Sequence, residues 1–369
     1  MSRVRLTGST SGYVEITAPA ISGNNTVTLP SSNGSANQLL KNGATPGVLE
    51  YSTVSIGSTG ELDNIASING GALAGTRNRI INGNFDIWQR GTSFSPASNT
   101  YTADRWAVVY NGAGATRTVS RQIFDSGSTE AAPGAAFFLG FNQSVAGFGG
   151  INNSLVQRIE DVRTFEGQTA TLSFYARGLS ASLTLPAIGL SQVFGVSGSA
   201  TVFTTVASSV VIAGTNFAKY TYTVTLPSII GKTIGVGSYL SLEFGMPNNA
   251  TFNFQIGSVQ LEPGSVATPF EQRPIGTELA LCQRYYCETR GSVRANAPST
   301  GVNYENQVYW PVTMRATPTI IGPSSGNTAN ILSNTINAPQ VSGARHLIES
   351  AASGDFYALN RLIQASAEL

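Results

Sequence analysis

The residue best suited by its type to acid–base chemistry in this chain is its single histidine. Histidine is the usual general base near neutral pH, and the chain has one, His346, in the segment GARHLIES. No Ser–His–Asp arrangement is recognisable around it, and the motif GxSxG is absent. We therefore expect His346 to be a surface or turn residue and not a catalytic one.

Carboxylates are the second source of catalytic chemistry, because hydrolysis of a glycosidic bond needs only two of them. Five acidic residues fall in the part of the chain with the strongest strand pattern: Asp104, Asp161, Glu166, Glu243 and Glu262. Their separations in space cannot be read from the sequence, so cleavage of a polysaccharide stays open as an alternative. Walker, HExxH and EF-hand motifs are absent, as is GxGxxG after a strand.

Aromatic and sulfur side chains have simpler interpretations. Trp88 and Trp106 offer flat faces that suit sugar rings, but their apolar neighbours favour positions in a core, where large aromatics bury much area. The only cysteines, Cys282 and Cys287, are too few for a disulfide scaffold and do not have CxxC spacing. We expect both to be free thiols in or beside packed structure.

Composition excludes several classes of protein. Charged residues make up 11% of the 369 residues, against about 25% in typical proteins. The net charge is +1, without the basic patch of a nucleic-acid binder. No apolar stretch follows MSRVRLTGSTSG as in a signal peptide, and no run approaches the roughly 20 residues that span a bilayer. We expect synthesis in a cytoplasm, no membrane insertion and no nucleic-acid partner.

The main part of the chain has the period of two that is typical of half-buried antiparallel strands. Thr171–Ala176, Ala218–Leu226 and Tyr239–Phe244 each alternate apolar and polar residues. In Phe252–Leu261 the apolar parity changes at Gly257–Ser258, which predicts a β-bulge that returns Val259 and Leu261 to the core of Phe252 and Phe254. One helix is predicted at Thr277–Tyr286, with Thr277 as its cap and Glu278 in its first turn.

The predicted fold is all-β, with three domains. Residues 1–76 form a thin β or extended shaft, with short runs at Tyr13–Thr17 and Thr26–Leu29 that cannot bury a core alone, and Ser55–Gly75 as the joint. Residues 77–275 form a central jelly-roll β-sandwich. Residues 276–369 form a small C-terminal β-sandwich, which begins with the short connecting helix.

Five phrases in order carry a family resemblance: NRIINGNFDIWQRGTSF, YTADRW, FYARG, VQLEPGSVATPFEQRP and LCQRYY. Together they resemble the distal half of bacteriophage tail-fibre and related virion proteins, over about Arg77–Tyr286. The N-terminal segment, PVTMRATPTI and the ending ASAEL also look like parts of such fibres. The resemblance implies a jelly roll similar to a carbohydrate-binding module, in a virion tail protein made in the host cytoplasm without a signal peptide.

The resemblance also implies a metal hypothesis. Jelly rolls similar to carbohydrate-binding modules often hold a structural calcium near the first and last strands. Calcium takes oxygen ligands, which Asn84, Asp86 and Glu262 could supply. The alternative is a polar turn satisfied by hydrogen bonds, without any cofactor.

The function expected from these observations is that of a non-enzymatic tail-fibre subunit. It would form a homotrimer, attach to phage tail or baseplate proteins through residues 1–76, and recognise a host surface polysaccharide. The best candidate contact is Val302–Pro311, where Tyr309 would point outward and Asn303, Tyr304 and Asn306 would lie on a preceding loop, with Trp310 in the core. A tailspike-type polysaccharide depolymerase and a purely structural baseplate or fibre component are the alternatives.

Overall fold

The computed structural model describes residues 3–7, 13–17, 26–35, 38–45, 48–56, 62–63, 76–125, 135–179 and 181–369. Strands account for 54% of the structure and helix for 3%, which confirms the all-β fold class. The chain forms two compact units, Met1–Ala66 and Ser67–Leu369. No helix in the described ranges has the length and apolar character needed to cross a bilayer.

The first unit contains short antiparallel strands. They are β1 Arg3–Thr7, β2 Tyr13–Thr17, β3 Gln38–Asn42, β4 Leu49–Ile56 and β5 Leu62–Asp63; β1 pairs with β2, and β4 lies between β3 and β5. The predicted run Thr26–Leu29 is not a strand, since only Thr28 makes a single bridge, to Val48. Val27 and Leu29 are exposed. Most of the predicted joint Ser55–Gly75 lies outside the described residues.

The second unit opens with two six-stranded antiparallel sheets that face each other. The strands are β6 Ser93–Phe94, β7 Thr100–Tyr101, β8 Trp106–Tyr110, β9 Thr116–Ile123, β10 Phe137–Val145, β11 Asn153–Glu160, β12 Thr169–Arg177, β13 Leu183–Val193, β14 Val202–Ile212, β15 Ala218–Thr225, β16 Tyr239–Gly245 and β17 Phe252–Pro263. One sheet has the order β15-β12-β17-β10-β9-β6, and the other has the order β14-β13-β16-β11-β8-β7. We call the second one the groove sheet.

The path of the chain between these sheets is that of a jelly roll. From β10 to β17 the strands alternate between the sheets, except that β13 and β14 form a hairpin within the groove sheet. The resulting quartets, β10-β17-β12-β15 and β11-β16-β13-β14, have the order that two interlocked Greek keys produce. The strands β6 to β9 extend one edge of each sheet.

The predicted bulge is present. Between the pairs Ser173–Gln260 and Tyr175–Gly257, one residue of β12 faces two residues of β17, Ser258 and Val259. Ser258 adopts φ 50°, and this extra residue changes the parity of the strand. As a result Val259 and Leu261 are fully buried in the same core as Phe252 and Phe254.

The helix is shorter than predicted. It is α1 Ile275–Gln283, and Thr277 does not cap it, because the amides of Thr277 and Glu278 already donate to the Pro274 carbonyl at 2.9 and 3.1 Å. Pro274, with φ −53°, is the residue at the N-cap position. The chain then leaves the helix before Tyr286, which pairs with Ser366 in a sheet.

The C-terminal part is a small β-sandwich, as predicted. Its strands are β18 Tyr286–Ala297, β19 Asn303–Tyr309, β20 Thr319–Ser324, β21 Asn327–Ala329, β22 Ile331–Gln340, β23 Gly343–Ser350 and β24 Gly354–Ser366. β24 pairs with β18, β20 and β21, and β23 lies between β19 and β22. Val308, Trp310 and Ala344 from one sheet pack on Ile363 and Ala365 from the other.

Candidate functional site

The structure separates the four predicted glycan-binding residues of the C-terminal sandwich. Asn303, Tyr304 and Asn306 lie on strand β19 and not on a preceding loop, so that part of the prediction is wrong. The loop was predicted because polar residues fill this segment, but pairing with β23 holds it extended. Tyr309 is 70% exposed and Trp310 is buried, as expected.

Alternation along β19 places the four residues on two faces. Tyr304 packs edge-on against Phe356, with ring centroids 5.3 Å apart. Asn306, of the same parity as Tyr304, is exposed and donates to the Ser292 carbonyl at 3.1 Å. Asn303 and Tyr309 have the opposite parity. The four side chains therefore form no single patch.

The predicted calcium ligands also do not converge. The Glu262 carboxylate accepts hydrogen bonds from Arg77, Gln260 and Thr268, while Asn84 accepts one from Ser258 at 3.0 Å. The described residues contain no group of three or more His, Cys, Asp or Glu side chains able to hold a metal ion. The three residues thus do not fit a calcium site, and the polar contacts match the alternative of a hydrogen-bonded turn.

Asp86 lies beside one of the other two predicted ligands, Asn84, and apart from Glu262. It lies in a small depression with Asn84, Glu271 and Glu278, and the Glu278 carboxylate already accepts from the amide of Asn82 and from Arg273. Burial, and then the negative charge of Glu278, raise the pKa of Asp86 from 3.8 to about 6. The folded protein therefore binds this proton more tightly than the unfolded chain does.

We expect Asp86→Asn to stabilise the protein at pH 8 and to have little effect at pH 4. Because the folded pKa is above the unfolded one, the stabilisation by this carboxyl is complete below the unfolded pKa and is lost as the pH rises through about 6. The gain at pH 8 should be about 1 kcal/mol, since partial exposure screens the charge. Urea unfolding at both pH values measures it, with Asp125→Asn, at an exposed aspartate, as the control.

The opposite result has a clear interpretation. If Asp86→Asn lowers the free energy of unfolding at pH 8, and a chelator does the same to the parent protein, then Asp86 is a metal ligand as the sequence predicted. A change equal to that of the Asp125 control would show that the environment of Asp86 does not affect its ionisation.

His346, predicted at the surface, is fully buried on β23, and its Nε2 lies 2.7 Å from Oδ1 of Asn334. The prediction failed because His346 lies on the inner face of its sheet, close to Gly291 of the facing sheet, and the side-chain amide of Asn334 on β22 contacts one ring nitrogen. Burial, and then the charge of Arg361, lower the pKa of this histidine. The two cysteines are free and buried, and Trp88 and Trp106 are in the core, as predicted.

A groove crosses the outer face of the groove sheet. It consists of two adjoining depressions of about 190 and 230 Å³, which share Asn152, Ser154 and Glu243. Register places Phe203, Ser191, Ser241 and Arg158 side by side on four successive strands. At the usual strand spacing this row spans roughly 14 Å. The groove is therefore long enough for an extended chain of small rings.

An aromatic ring lies at one end of this row. Phe203, on the edge strand β14, is 53% exposed. Its ring lies against Gly189 of β13, where an added Cβ would stand only 2.2 Å from the ring. The absence of a side chain at Gly189 thus allows the phenyl ring to lie close over the sheet and present a free apolar surface.

Polar groups occupy the middle of the groove. Ser191 donates a hydrogen bond of 2.6 Å to the Glu243 carboxylate, and Ser154 and Ser241 lie beside them on neighbouring strands. Glu243 is the single acidic residue among the described residues that line the two depressions. Glycosidase chemistry needs a pair of carboxylates, and the lining of these two depressions supplies one.

The other four carboxylates considered from the sequence are engaged elsewhere. Asp104 and Glu262 are buried, Asp161 pairs with Arg163 at 3.2 Å, and Glu166 accepts the amide of Ile229 at 3.2 Å. The groove itself was not predicted. Alternation in β16 shows that Tyr239, Ser241 and Glu243 share a polar face, but nothing local shows which strands lie beside it.

No protein-family model matches the chain, and no curated protein matches its sequence. Solved structures similar to it include the enzymatically active domain of tailspike protein 4 from bacteriophage CBA120, with 16% identity and a TM-score of 0.30 over 51% of this chain and 22% of that chain. They also include a xylan-binding carbohydrate-binding module from Paenibacillus barcinonensis, with 12% identity and a TM-score of 0.29 over 48% and 94%.

A cyclase from Fischerella is similar at the same level, with 12% identity and a TM-score of 0.34 over 51% of this chain and 96% of that chain. The structures similar to this chain thus include a phage tailspike domain, a carbohydrate-binding module and an enzyme of another kind. Identities and TM-scores of this size assign no function to this chain.

Proposed function

We propose that this chain is a non-enzymatic, glycan-binding subunit of a bacteriophage tail fibre. The observation that carries the proposal is the groove, because it combines an open aromatic face with a row of hydroxyl, amide and carboxylate groups. Sugar rings offer apolar faces and many hydroxyls, so they require this combination. The ligand class is a host surface polysaccharide, which is bound and not cleaved.

The virion assignment draws support from the family phrases and from the first unit. Val27, Leu29 and Leu40 of that unit are exposed, and we propose that neighbouring copies in a homotrimer cover them. Residues 1–76 would attach this trimer to the phage tail or baseplate. The protein would then lie in the virion tail, with its sandwiches directed toward the host cell.

Phe203→Ala should weaken glycan binding about tenfold, since loss of one aromatic contact removes roughly 1–2 kcal/mol. Ligands are first selected on a glycan array and then titrated by calorimetry. Phe148→Ala is the matched control, because Phe148 is also exposed, at 67%, and does not line the groove. Gly189→Ala, which displaces the Phe203 ring while keeping it, should weaken binding in the same direction.

Four outcomes would each contradict part of this proposal. If the Phe203→Ala and Phe148→Ala variants bind equally well, the glycan site lies outside the groove. If Tyr309→Ala loses binding, the glycan site lies on β19. Release of reducing sugar from the selected polysaccharide would favour the depolymerase alternative. Absence of any glycan or host-cell binding would leave a structural role in the fibre or baseplate.

A further inference from the structure

A third cavity lies at one end of the groove. It has a volume of about 440 Å³ and is the largest of the cavities described. Arg158 lines both this cavity and the neighbouring depression of the groove, so a chain bound along the groove would reach the cavity. We call it the arginine pocket. Our inference for the arginine pocket rests on the proposed glycan-binding function.

The charge of the arginine pocket is positive. Its lining includes the three arginines Arg79, Arg158 and Arg163 but only one acidic residue, Glu160. The Glu160 carboxylate is already neutralised, because Arg284 contacts both of its oxygens at 3.0 Å and the hydroxyl of Tyr285 donates to it at 3.1 Å. Glu160 is therefore bound to Arg284 and Tyr285 and makes no ion pair with the three arginines that line the pocket.

Two of these arginines are only partly engaged. Arg158 donates to the Tyr101 hydroxyl, the Asn99 amide oxygen and the oxygen of Leu369. Arg163 pairs with Asp161, but both side chains are largely exposed, at 61% and 46%, so the pair is weak.

Arg79 is the free cation of the pocket. Its amide donates to the Leu261 carbonyl, while its exposed guanidinium has no acidic or hydrogen-bonding side chain as partner within the described part of the chain. A planar guanidinium without a partner is well suited to bidentate contact with a carboxylate.

The walls of the arginine pocket contain apolar residues in addition to the charged ones. Ile81 and Pro263, both partly exposed, contribute apolar surface beside the arginines, and Phe165 and Tyr285, both nearly buried, also line the pocket. Phe165 is held at φ 60°, in the left-handed region that costs energy for a bulky residue. A ligand that uses both kinds of wall has an apolar body and a negative group.

We propose that the arginine pocket binds an acidic sugar unit of the glycan, with its carboxylate on Arg79 and its ring against the apolar wall. The groove then binds the neutral units of the same chain. The preferred ligand is therefore a polysaccharide that contains uronic acid or another carboxylated sugar, and its affinity falls as salt rises.

The test titrates the full-length protein with a glucuronic acid oligosaccharide, the corresponding glucose oligosaccharide, and inorganic phosphate alone. We expect the acidic oligosaccharide to bind at least about tenfold more tightly than the neutral one, because a hydrogen bond to a charged group contributes about that much to affinity. Arg79→Gln should remove this preference. Arg290→Gln should retain it, because Arg290 is exposed, donates to the Asn360 carbonyl and does not line the pocket.

The outcomes separate the two proposals. If both oligosaccharides bind parent and Arg79→Gln protein alike, the pocket inference is wrong and the groove proposal stands. If only the acidic one binds, through Arg79, the pocket inference stands and the groove proposal fails. If phosphate competes as well as glucuronate does, the pocket is a simple anion site and not a site for an acidic sugar. If neither oligosaccharide binds, both the pocket inference and the groove proposal are wrong.

Discussion

Replacing Glu368 by alanine should lower the free energy of unfolding by about 3–5 kcal/mol, because it leaves a buried charge without its partner. The Glu368 carboxylate contacts Arg105 and, at 2.9 Å, Arg90. The Arg105 side chain is only 1% exposed, so water cannot replace the lost carboxylate. Chemical denaturation of the parent and variant proteins measures the difference.

The ion network around Glu368 also joins the two sandwiches. Arg105, in the phrase YTADRW, stacks 3.5 Å from the ring of Tyr285, and Arg90 stacks 3.6 Å from the ring of Tyr286. Both tyrosines belong to the phrase LCQRYY, and Glu368 belongs to the ending ASAEL. Phrases that are far apart in sequence thus meet around one buried ion network.

The matched control for this prediction is Glu305→Ala. Glu305 also pairs with an arginine, Arg345, at 3.1 Å, but its side chain is 49% exposed. Exposed pairs contribute little, so the change should stay within about 0.5 kcal/mol. If Glu368→Ala has no greater effect than Glu305→Ala, the network does not hold the sandwiches together.

Leu261→Ala should destabilise the jelly roll by roughly 2–5 kcal/mol, the range for a leucine removed from a packed core. Leu261 is fully buried only because the bulge at Ser258 and Val259 shifts the parity of β17. Without that extra residue it would point away from the core of Phe254. The same denaturation measurement applies to this variant.

Leu332→Ala provides the comparison, since it makes the same chemical change at a leucine that is 59% exposed. The expected change there is within about 0.5 kcal/mol. A loss for Leu261→Ala as small as that for Leu332→Ala would show that the side chain is not packed, and would contradict the position of the bulge.

The sequence by itself predicted features that depend on neighbouring residues along one strand. The faces of β12 and β16, the burial of Trp310, the exposure of Tyr309 and the bulge in β17 all follow from parity. A period of two is a local property, because successive side chains of a strand point to opposite faces. The all-β class follows from the same alternation, summed over many segments.

The tertiary structure alone decided which strands lie side by side. The row of Phe203, Ser191, Ser241 and Arg158 exists because four strands, distant in sequence, pair in one register. The jelly-roll path places them together, and no local pattern encodes hydrogen bonds between distant strands. Ring stacking on Gly189 likewise depends on the pairing of β13 with β14.

The same reason explains the predictions that failed. His346 was expected at the surface because a lone polar residue carries no signal of the strands that cover it, yet β22 supplies Asn334 to its ring. Glu262 was proposed as a calcium ligand, but its oxygens accept from Arg77 and Thr268. The residue type fixes what a side chain can bind, whereas pairing between distant strands determines which partners it meets.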